Sequence, residues 1–269
     1  MPLRPDHRLR KTLARVDNAL VRRFGRPYFE LTRDITIFDR ADYLTHYVAT
    51  APQPKISILD VGCGSSTAFF NFRQLPDRIA SYVGIDHQVE RAQRRFAALP
   101  FARAFHELDL DGDWGFGPFD LVACLEVLEH LVDDRRLFSK LCDHVAPGGR
   151  LLVSTPSAPF VTRMAREIPG FDNVSPTQDG DHVRIGYTLA DFQALADANG
   201  MEILSVDWLS RFDVATMRRL HPMLGLTRRM LFNLRYRRAD PADARVIGGD
   251  PATHAETYWS IGVYMKRRD

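Results

Sequence analysis

Three cysteines in 269 residues are too few, and too odd in number, to build a disulfide framework. Cys63, Cys124 and Cys142 fall at apolar or turn positions, which predicts small buried reduced thiols and a cytoplasmic protein in place of redox chemistry. An excess of charge of either sign is also missing. The balance of 36 Lys+Arg against 34 Asp+Glu leaves a formal +2, which argues against a wide nucleic-acid footprint. No apolar run is long enough to span a bilayer, and no amphipathic membrane helix stands out. Arg4, Arg8 and Arg10 are followed by no apolar core segment, which predicts no secretory leader. Internal repeats are lacking too, which excludes solenoids and arrays. The chain is otherwise ordinary for a globular protein, 45% hydrophobic and 26% charged, and long enough to bury a sizeable core.

What is present is a series of short apolar strands, each ending in a polar residue or a turn. Ile56 to Val61 reads as a buried strand, and Gly62-Cys63-Gly64 as a tight turn opening into a helix near 67–73. Asp60 ends that strand, where a carboxylate would repel a phosphate and attract an ammonium or sulfonium. Tyr82 to Asp86 reads as a second strand ending in an acid, about twenty residues after the glycines, the position from which a carboxylate accepts both hydroxyls of a ribose. Phe105 to Leu110, Phe119 to Leu125 and Arg150 to Pro156 read as the third, fourth and fifth strands, the last preceded by the turn Ala146-Pro147-Gly148-Gly149. Helices are expected near 87–98, 133–145 and 188–199. The last is marked by Thr188 with Asp191 three residues on and by Asn199-Gly200 at its end. Met201 to Leu209 and Tyr258 to Met265 complete the strands. Alternation of strand and helix implies a parallel sheet with right-handed crossovers.

These ordered motifs resemble the class I S-adenosylmethionine-dependent methyltransferases over residues 56–205. The resemblance implies an α/β fold: a Rossmann-like, seven-stranded, mostly parallel sheet with helices on both faces. It also implies the cofactor S-adenosylmethionine, with Gly62 and Gly64 at its amino-acid end and Asp60 near its ammonium. Asp86 would take the ribose hydroxyls, and Asp109 with the Leu110 amide the adenine. Ser66 stands where a third glycine is common, a mild departure because serine suits a helix start.

Residues 1–50 read as a helical segment, with amphipathic helices over 7–24 and 39–48, and Ala51-Pro52-Gln53-Pro54 opens the methyltransferase domain at 51–269. Two connections exceed ordinary loops, 156–187 and the arginine-rich 210–257 before the last strand. Both are read as caps over the C-terminal edge of the sheet, where open α/β folds bind ligands.

After the fourth strand comes Glu126-Val127-Leu128-Glu129-His130. On a helical turn Glu126, Glu129 and His130 share one face, a set able to hold a divalent metal, and His182 is a candidate fourth ligand if its segment folds back over the same edge. The run is similar to that of the small-RNA 2′-O-methyltransferases and of the ubiquinone-pathway O-methyltransferases. That similarity implies Glu126, Glu129, His130 and His182 as ligands. Mg²⁺ prefers oxygen ligands, so two histidines tilt the choice toward Mn²⁺, Fe²⁺, Co²⁺ or Zn²⁺. Three readings of the run stay open at this point: a metal site, a metal-free role in which the residues shape the substrate pocket or His130 acts alone as a base oriented by Glu129, and a purely structural role. The expected partner is a small hydroxylated acceptor or a sugar, in preference to RNA. The alternatives are a metal-independent N- or O-methyltransferase and a non-catalytic cofactor-binding module.

Overall fold

A computed structural model describes residues 36–64, 68–108, 110, 112–175, 182–212, 214–220 and 245–268. The helix expected over 7–24, Ser66, Asp109 and the central part of the 210–257 insert lie outside the described residues.

The strands are β1 (Ile56–Val61), β2 (Ile79–Asp86), β3 (Ala102–Glu107), β4 (Phe119–Leu125), β5 (Val145–Pro156), β6 (Met201–Arg211), β7 (Arg245–Val246) and β8 (Tyr258–Arg267). They form one sheet in the order β3-β2-β1-β4-β5-β8-β6-β7. Pairing is parallel from β3 through β5, and β8 runs antiparallel between β5 and β6. Eight strands are found where seven were expected. The addition is β7, whose two residues pair with Trp208 and Leu209 and are too few to show an alternation.

Other boundaries move as well: β2 starts at Ile79 in place of Tyr82, and β6 and β8 run on to Arg211 and Arg267. β3 spans Ala102–Glu107, not Phe105–Leu110, because it is an edge strand whose first residues are exposed and carry no apolar signal. β5 begins at Val145, before the expected turn. Ala146 to Gly149 form an irregularity inside the strand, where the β4 register shifts between Phe119 and Leu121. A Cβ on Gly149 would come within 2.9 Å of the carbonyl oxygens of Ala146 and Phe119, so only glycine lets the backbone pass.

The helices are α1 (Thr36–Thr50), α2 (Phe69–Phe72), α3 (Glu90–Phe96), α4 (Asp134–Asp143), α5 (Ala158–Glu167), α6 (Leu189–Ala198), α7 (Val214–Leu220) and α8 (Pro251–His254). α6 starts on the expected capping box, the Thr188 hydroxyl accepting from the Asp191 N–H while the Asp191 carboxylate accepts from the Thr188 N–H.

Strand alternation sorts the core into two layers. Leu59, Val61, Val122, Cys124, Leu151 and Val153 face α4 and α6. Ile56, Ile58, Leu121, Ala123 and Leu152 face the layer of α1, α2 and α3. The central strands are thus covered on both faces, which is why they read as unbroken apolar runs. A third cluster joins the two long connections, where Phe160, Val161 and Met164 of α5 and the following Ile168 pack with Phe212, Met217 of α7 and Trp259 of β8.

α1 is fastened to the sheet by a buried acid. Asp207 accepts from the hydroxyls of Tyr43 (2.8 Å), Tyr47 and Ser205 and from the Gly248 N–H (2.9 Å). Tyr43 fits because Gly262 lies beneath it; a Cβ there would sit 2.5 Å from the tyrosine oxygen.

Candidate active site

The C-terminal ends of β1, β2, β4 and β5 converge on one edge. The turn after β1 is tied to β2 by the N–H groups of Gly62 and Cys63, both donating to the Ile85 carbonyl at 2.8 and 3.1 Å. Gly62 has φ 75° and Gly64 φ 53°. A Cβ on Gly62 would meet Val127 Cγ2 at 2.3 Å, so the glycine lets the β1 and β4 loops pack together.

Two acids flank this turn. Asp60 is buried and accepts from the Tyr82 hydroxyl on the neighbouring strand. Burial pushes its carboxyl up to about 6, the Tyr82 bond opposes that, and the nearby Asp86 adds to it. Asp86 ends β2. Its Oδ2 accepts from the Gly64 N–H (2.8 Å), its Oδ1 accepts from the Gln88 N–H (3.1 Å), and His87 Nδ1 stands 2.9 Å from Oδ1. Beside it opens a cleft of about 460 Å³ lined by Gly64, Asp86, His87, Gln88, Arg91 and Arg94, among others. Leu110 lies in the following loop, where its carbonyl accepts from Lys140 of α4 at 3.1 Å. Asp109 is outside the described residues. Cys63 and Cys124 are buried, and burial pushes both thiols up, which keeps them protonated.

The Glu126–His130 run is not the helical turn expected. Glu126 leaves β4 with φ 57°, its N–H donating to the Ser154 carbonyl (2.8 Å) and its Oε1 accepting from the Ser154 hydroxyl (3.0 Å). Only Leu128–His130 coil, as a single 3₁₀ turn. The result separates Glu126 from its neighbours. Glu129, His130 and His182 each offer a ligand atom within 4.8 Å of the others, and Glu126 is not in that group. The His130 and His182 rings meet edge to face, centroids 4.7 Å apart, and His130 Nε2 is 3.9 Å from Glu129 Oε1. His182 arrives because its segment folds back along the loop after β4, with the Val183 N–H donating to the Glu129 carbonyl at 2.8 Å.

Glu129 is the anomaly of this edge. It is 0% exposed, and neither carboxylate oxygen accepts a hydrogen bond from another residue. Burial, and next the negative charge of Glu126, push its pKa well up; its own backbone N–H and the more distant Arg40 and Arg184 offset only part of this. A buried carboxylate beside two imidazoles, short of donors, fits a divalent cation.

A family model described as a methyltransferase domain matches residues 35–206. The chain belongs to that family. It is a class I S-adenosylmethionine-dependent methyltransferase. The mitochondrial ubiquinone biosynthesis O-methyltransferase of Schizosaccharomyces pombe is 29% identical to it over 110 residues, 40% of each chain. The trans-aconitate 2-methyltransferase of Deinococcus radiodurans is 28% identical over 175 residues, 64% of each chain. The methyltransferase therefore matches less than two thirds of the length of these relatives. Among solved structures, magnesium protoporphyrin IX methyltransferase from Synechocystis with bound S-adenosylhomocysteine superposes with TM-score 0.56 at 16% identity, covering 96% of this chain and all of that one. The small RNA methyltransferase HEN1 superposes with TM-score 0.55 at 18% identity, over 86% of this chain and 25% of that one. Among the described residues no helix is long and apolar enough to cross a membrane.

Several contributors were not legible as motif residues. Tyr82 is the donor to Asp60, and a signal existed for it. Asp60 pairs with Gly84 in the parallel register, which sets Tyr82 on the same face one pleat away. Val127, inside the acidic run, is the residue that Gly62 must accommodate. Ser154, which holds Glu126, looks in sequence like any strand residue.

Proposed function

We propose that this methyltransferase methylates a hydroxyl oxygen on a small hydroxylated molecule or sugar, with Glu129, His130 and His182 holding a divalent metal beside the acceptor. The observation that carries the reading is the wholly buried, donor-poor Glu129 carboxylate grouped with two imidazoles. Bound S-adenosylmethionine supplies a methyl on an already activated sulfonium, so the protein has mainly to align the nucleophile and exclude water. Asp86 is assigned to the ribose hydroxyls. Its oxygens already accept from Gly64 and Gln88, yet a carboxylate has about four acceptor sites and can serve further donors. The open backbone at Gly62 and Gly64 is assigned to the amino-acid end, Asp60 to its ammonium, and Asp109 with Leu110 to the adenine.

On the acceptor side a metal held by two imidazoles and a carboxylate favours Mn²⁺, Fe²⁺, Co²⁺ or Zn²⁺ over Mg²⁺, and would lower the pKa of a hydroxyl beside it. Glu126, fixed by Ser154, faces the same edge as a further acid, outside the ligand group. A small acceptor is favoured over RNA by the near-neutral charge of +2. The names of two relatives, which refer to ubiquinone biosynthesis and to trans-aconitate, point the same way.

The test is calorimetric titration of metal-stripped protein with Mn²⁺ and Mg²⁺ in the presence of S-adenosylhomocysteine, for wild type and His130→Ala. One site of higher affinity for Mn²⁺, lost in the variant, is expected, followed by turnover on a panel of vicinal diols and catechols. The second reading, His130 as base paired with Glu129, is favoured by their 3.9 Å approach. Cofactor binding with no metal binding would replace the first reading with this one.

A further inference from the structure

The segment bearing His182 is clasped to the loop after β4 by contacts that lie behind the reacting edge. Arg184 Nη1 donates to Asp134 Oδ2, and Arg184 Nη2 donates to the carbonyls of Leu131 (2.6 Å) and Val132 (3.1 Å). The Tyr187 hydroxyl donates to the same Asp134 oxygen, and the guanidinium lies 5.5 Å from the centre of the Tyr187 ring. Beyond Tyr187 the chain is joined to the end of β5, Tyr187 N–H donating to the Pro156 carbonyl (2.9 Å) and Ala158 N–H to the Tyr187 carbonyl (3.0 Å).

The anchor on the other side is rigid. Asp134 opens α4, which sinks Leu137, Phe138 and Leu141 into the core. Arg184 is two residues from His182, so what fixes the guanidinium fixes where the imidazole can go. The bonds from Val183 N–H to the Glu129 carbonyl (2.8 Å) and from Ser175 N–H to the His182 carbonyl (2.7 Å) hold the backbone at residues 182 and 183. The fork of Arg184 adds a side-chain anchor just beyond them, because one planar group reaches a carboxylate and two carbonyls at once, which an ammonium cannot do with the same geometry.

We propose that Arg184 is a positioning residue that holds His182 against Glu129 and His130. The inference rests on the reading of those three side chains as the acceptor-side site. It assigns Arg184 no contact with cofactor or acceptor. Its effect passes through His182.

Arg184→Met tests this, since methionine keeps an apolar stem over Tyr187 and removes the three donated bonds. Arg184→Lys serves as the conservative variant and Asp134→Asn as an attack from the other partner. Two readouts are needed. The first is the nuclear Overhauser contact between the His130 and His182 rings in histidine-labelled protein, which needs no metal and no acceptor. The second is Mn²⁺ affinity in the presence of S-adenosylhomocysteine. In Arg184→Met the ring contact should vanish and Mn²⁺ affinity should fall ~10–100-fold, the range for residues that orient a ligand from behind. Arg184→Lys should recover part of both, and affinity for S-adenosylhomocysteine should stay within about twofold of wild type. A ring contact and Mn²⁺ affinity both retained in Arg184→Met would overturn the inference. If wild type binds no Mn²⁺, the metal reading falls and the ring contact alone decides: lost in Arg184→Met it upholds the clasp, kept it refutes it. Should Arg184→Met fail to fold, Asp134→Asn is judged by the same two outcomes.

Discussion

Glu129→Gln should make the metal-free protein more stable at alkaline pH while removing its response to metal. The carboxyl is buried and short of donors, and its pKa in the folded protein stands well above the ordinary 4.5. The folded state therefore holds a proton that the unfolded state has released, once the pH exceeds the unfolded value. With more protons bound in the folded than in the unfolded state, stability falls as pH rises through that window. Each unit of upward shift removes ~1.4 kcal/mol at a pH above the folded value, which for a chain of this size lowers the melting temperature by about 3 °C or somewhat more. Glutamine has the same shape and no charge, so this slope should disappear. Its amide still lacks donors and acceptors, a penalty of about 1–3 kcal/mol that does not vary with pH, so the slope is the quantity to compare. The assay is thermal melting in EDTA from pH 5 to pH 9, for wild type and variant. The gap between them should move in favour of the variant as pH rises. Added Mn²⁺ should reverse the order, because a ligand at about 100 times its dissociation constant stabilises by ~2.7 kcal/mol and only wild type binds it. Parallel curves in EDTA would refute the claim that Glu129 is held protonated, and the case for a metal at this carboxylate would go with it.

Gly62→Ala should lower stability by about 2–4 kcal/mol in urea denaturation, through left-handed backbone strain and a Cβ 2.3 Å from Val127, and should weaken S-adenosylhomocysteine binding in parallel. Because the Asp60 carboxyl is pushed up to about 6, its charge is lost as pH falls through that value. Calorimetry should find cofactor affinity falling over the same range, and Asp60→Asn should flatten the profile. Thr188→Ala should cost about 1 kcal/mol by removing the cap of α6, with no change in cofactor affinity; a loss well under half of that would mean the capping box contributes little.

The parts of the fold visible in the sequence are those set by short-range or periodic signals. β1 and β4 run over the residues expected because both of their faces are covered, so the apolar run is as long as the strand. α6 was marked at both ends by side chains that act within a turn of themselves. The misses share the opposite character. β7 exists only through pairing with β6, the first residues of β3 face solvent at an edge, and α5 lies inside a connection that was read as a cap without helices. The site divides in the same way. Asp60, Gly62, Gly64 and Asp86 announce themselves through spacing along one strand-turn-helix unit and its neighbour. The separation of Glu126 from Glu129 depends on one positive φ imposed by Ser154 across the sheet, and the clasp of Arg184 on Asp134 joins residues fifty apart, for which spacing offers no signal.

How each buried acid is satisfied separates architecture from chemistry. Asp207, Asp134 and Asp39 are all buried, and each is met by donors of the protein itself: three hydroxyls and an N–H at Asp207, Arg184 and Tyr187 at Asp134, the Ser210 hydroxyl at Asp39. Those acids join α1 to β6, or the His182 segment to α4, and folding completes their surroundings. Asp60 and Glu129 are different. One has a single tyrosine and a carboxyl lifted to about 6, the other has no donor from another residue, and each has a second acid close enough to raise it further, Asp86 and Glu126. Acids with fewer donors than the other buried acids have been gathered at the C-terminal edge, in a chain whose overall charge is close to zero. Burying an unpaired charge is among the least favourable things a fold can do, so these carboxyls hold their protons more tightly than usual, and a positively charged ligand beside them would favour the ionised form. On the proposed reading, that ligand at Asp60 would be the cationic amino-acid end of the cofactor. Glu129 differs, since the groups beside it are imidazoles that can share a metal but offer little to an ammonium. The proposal thereby divides the same edge into a methyl-donor half and an acceptor half by the kind of cation each would take.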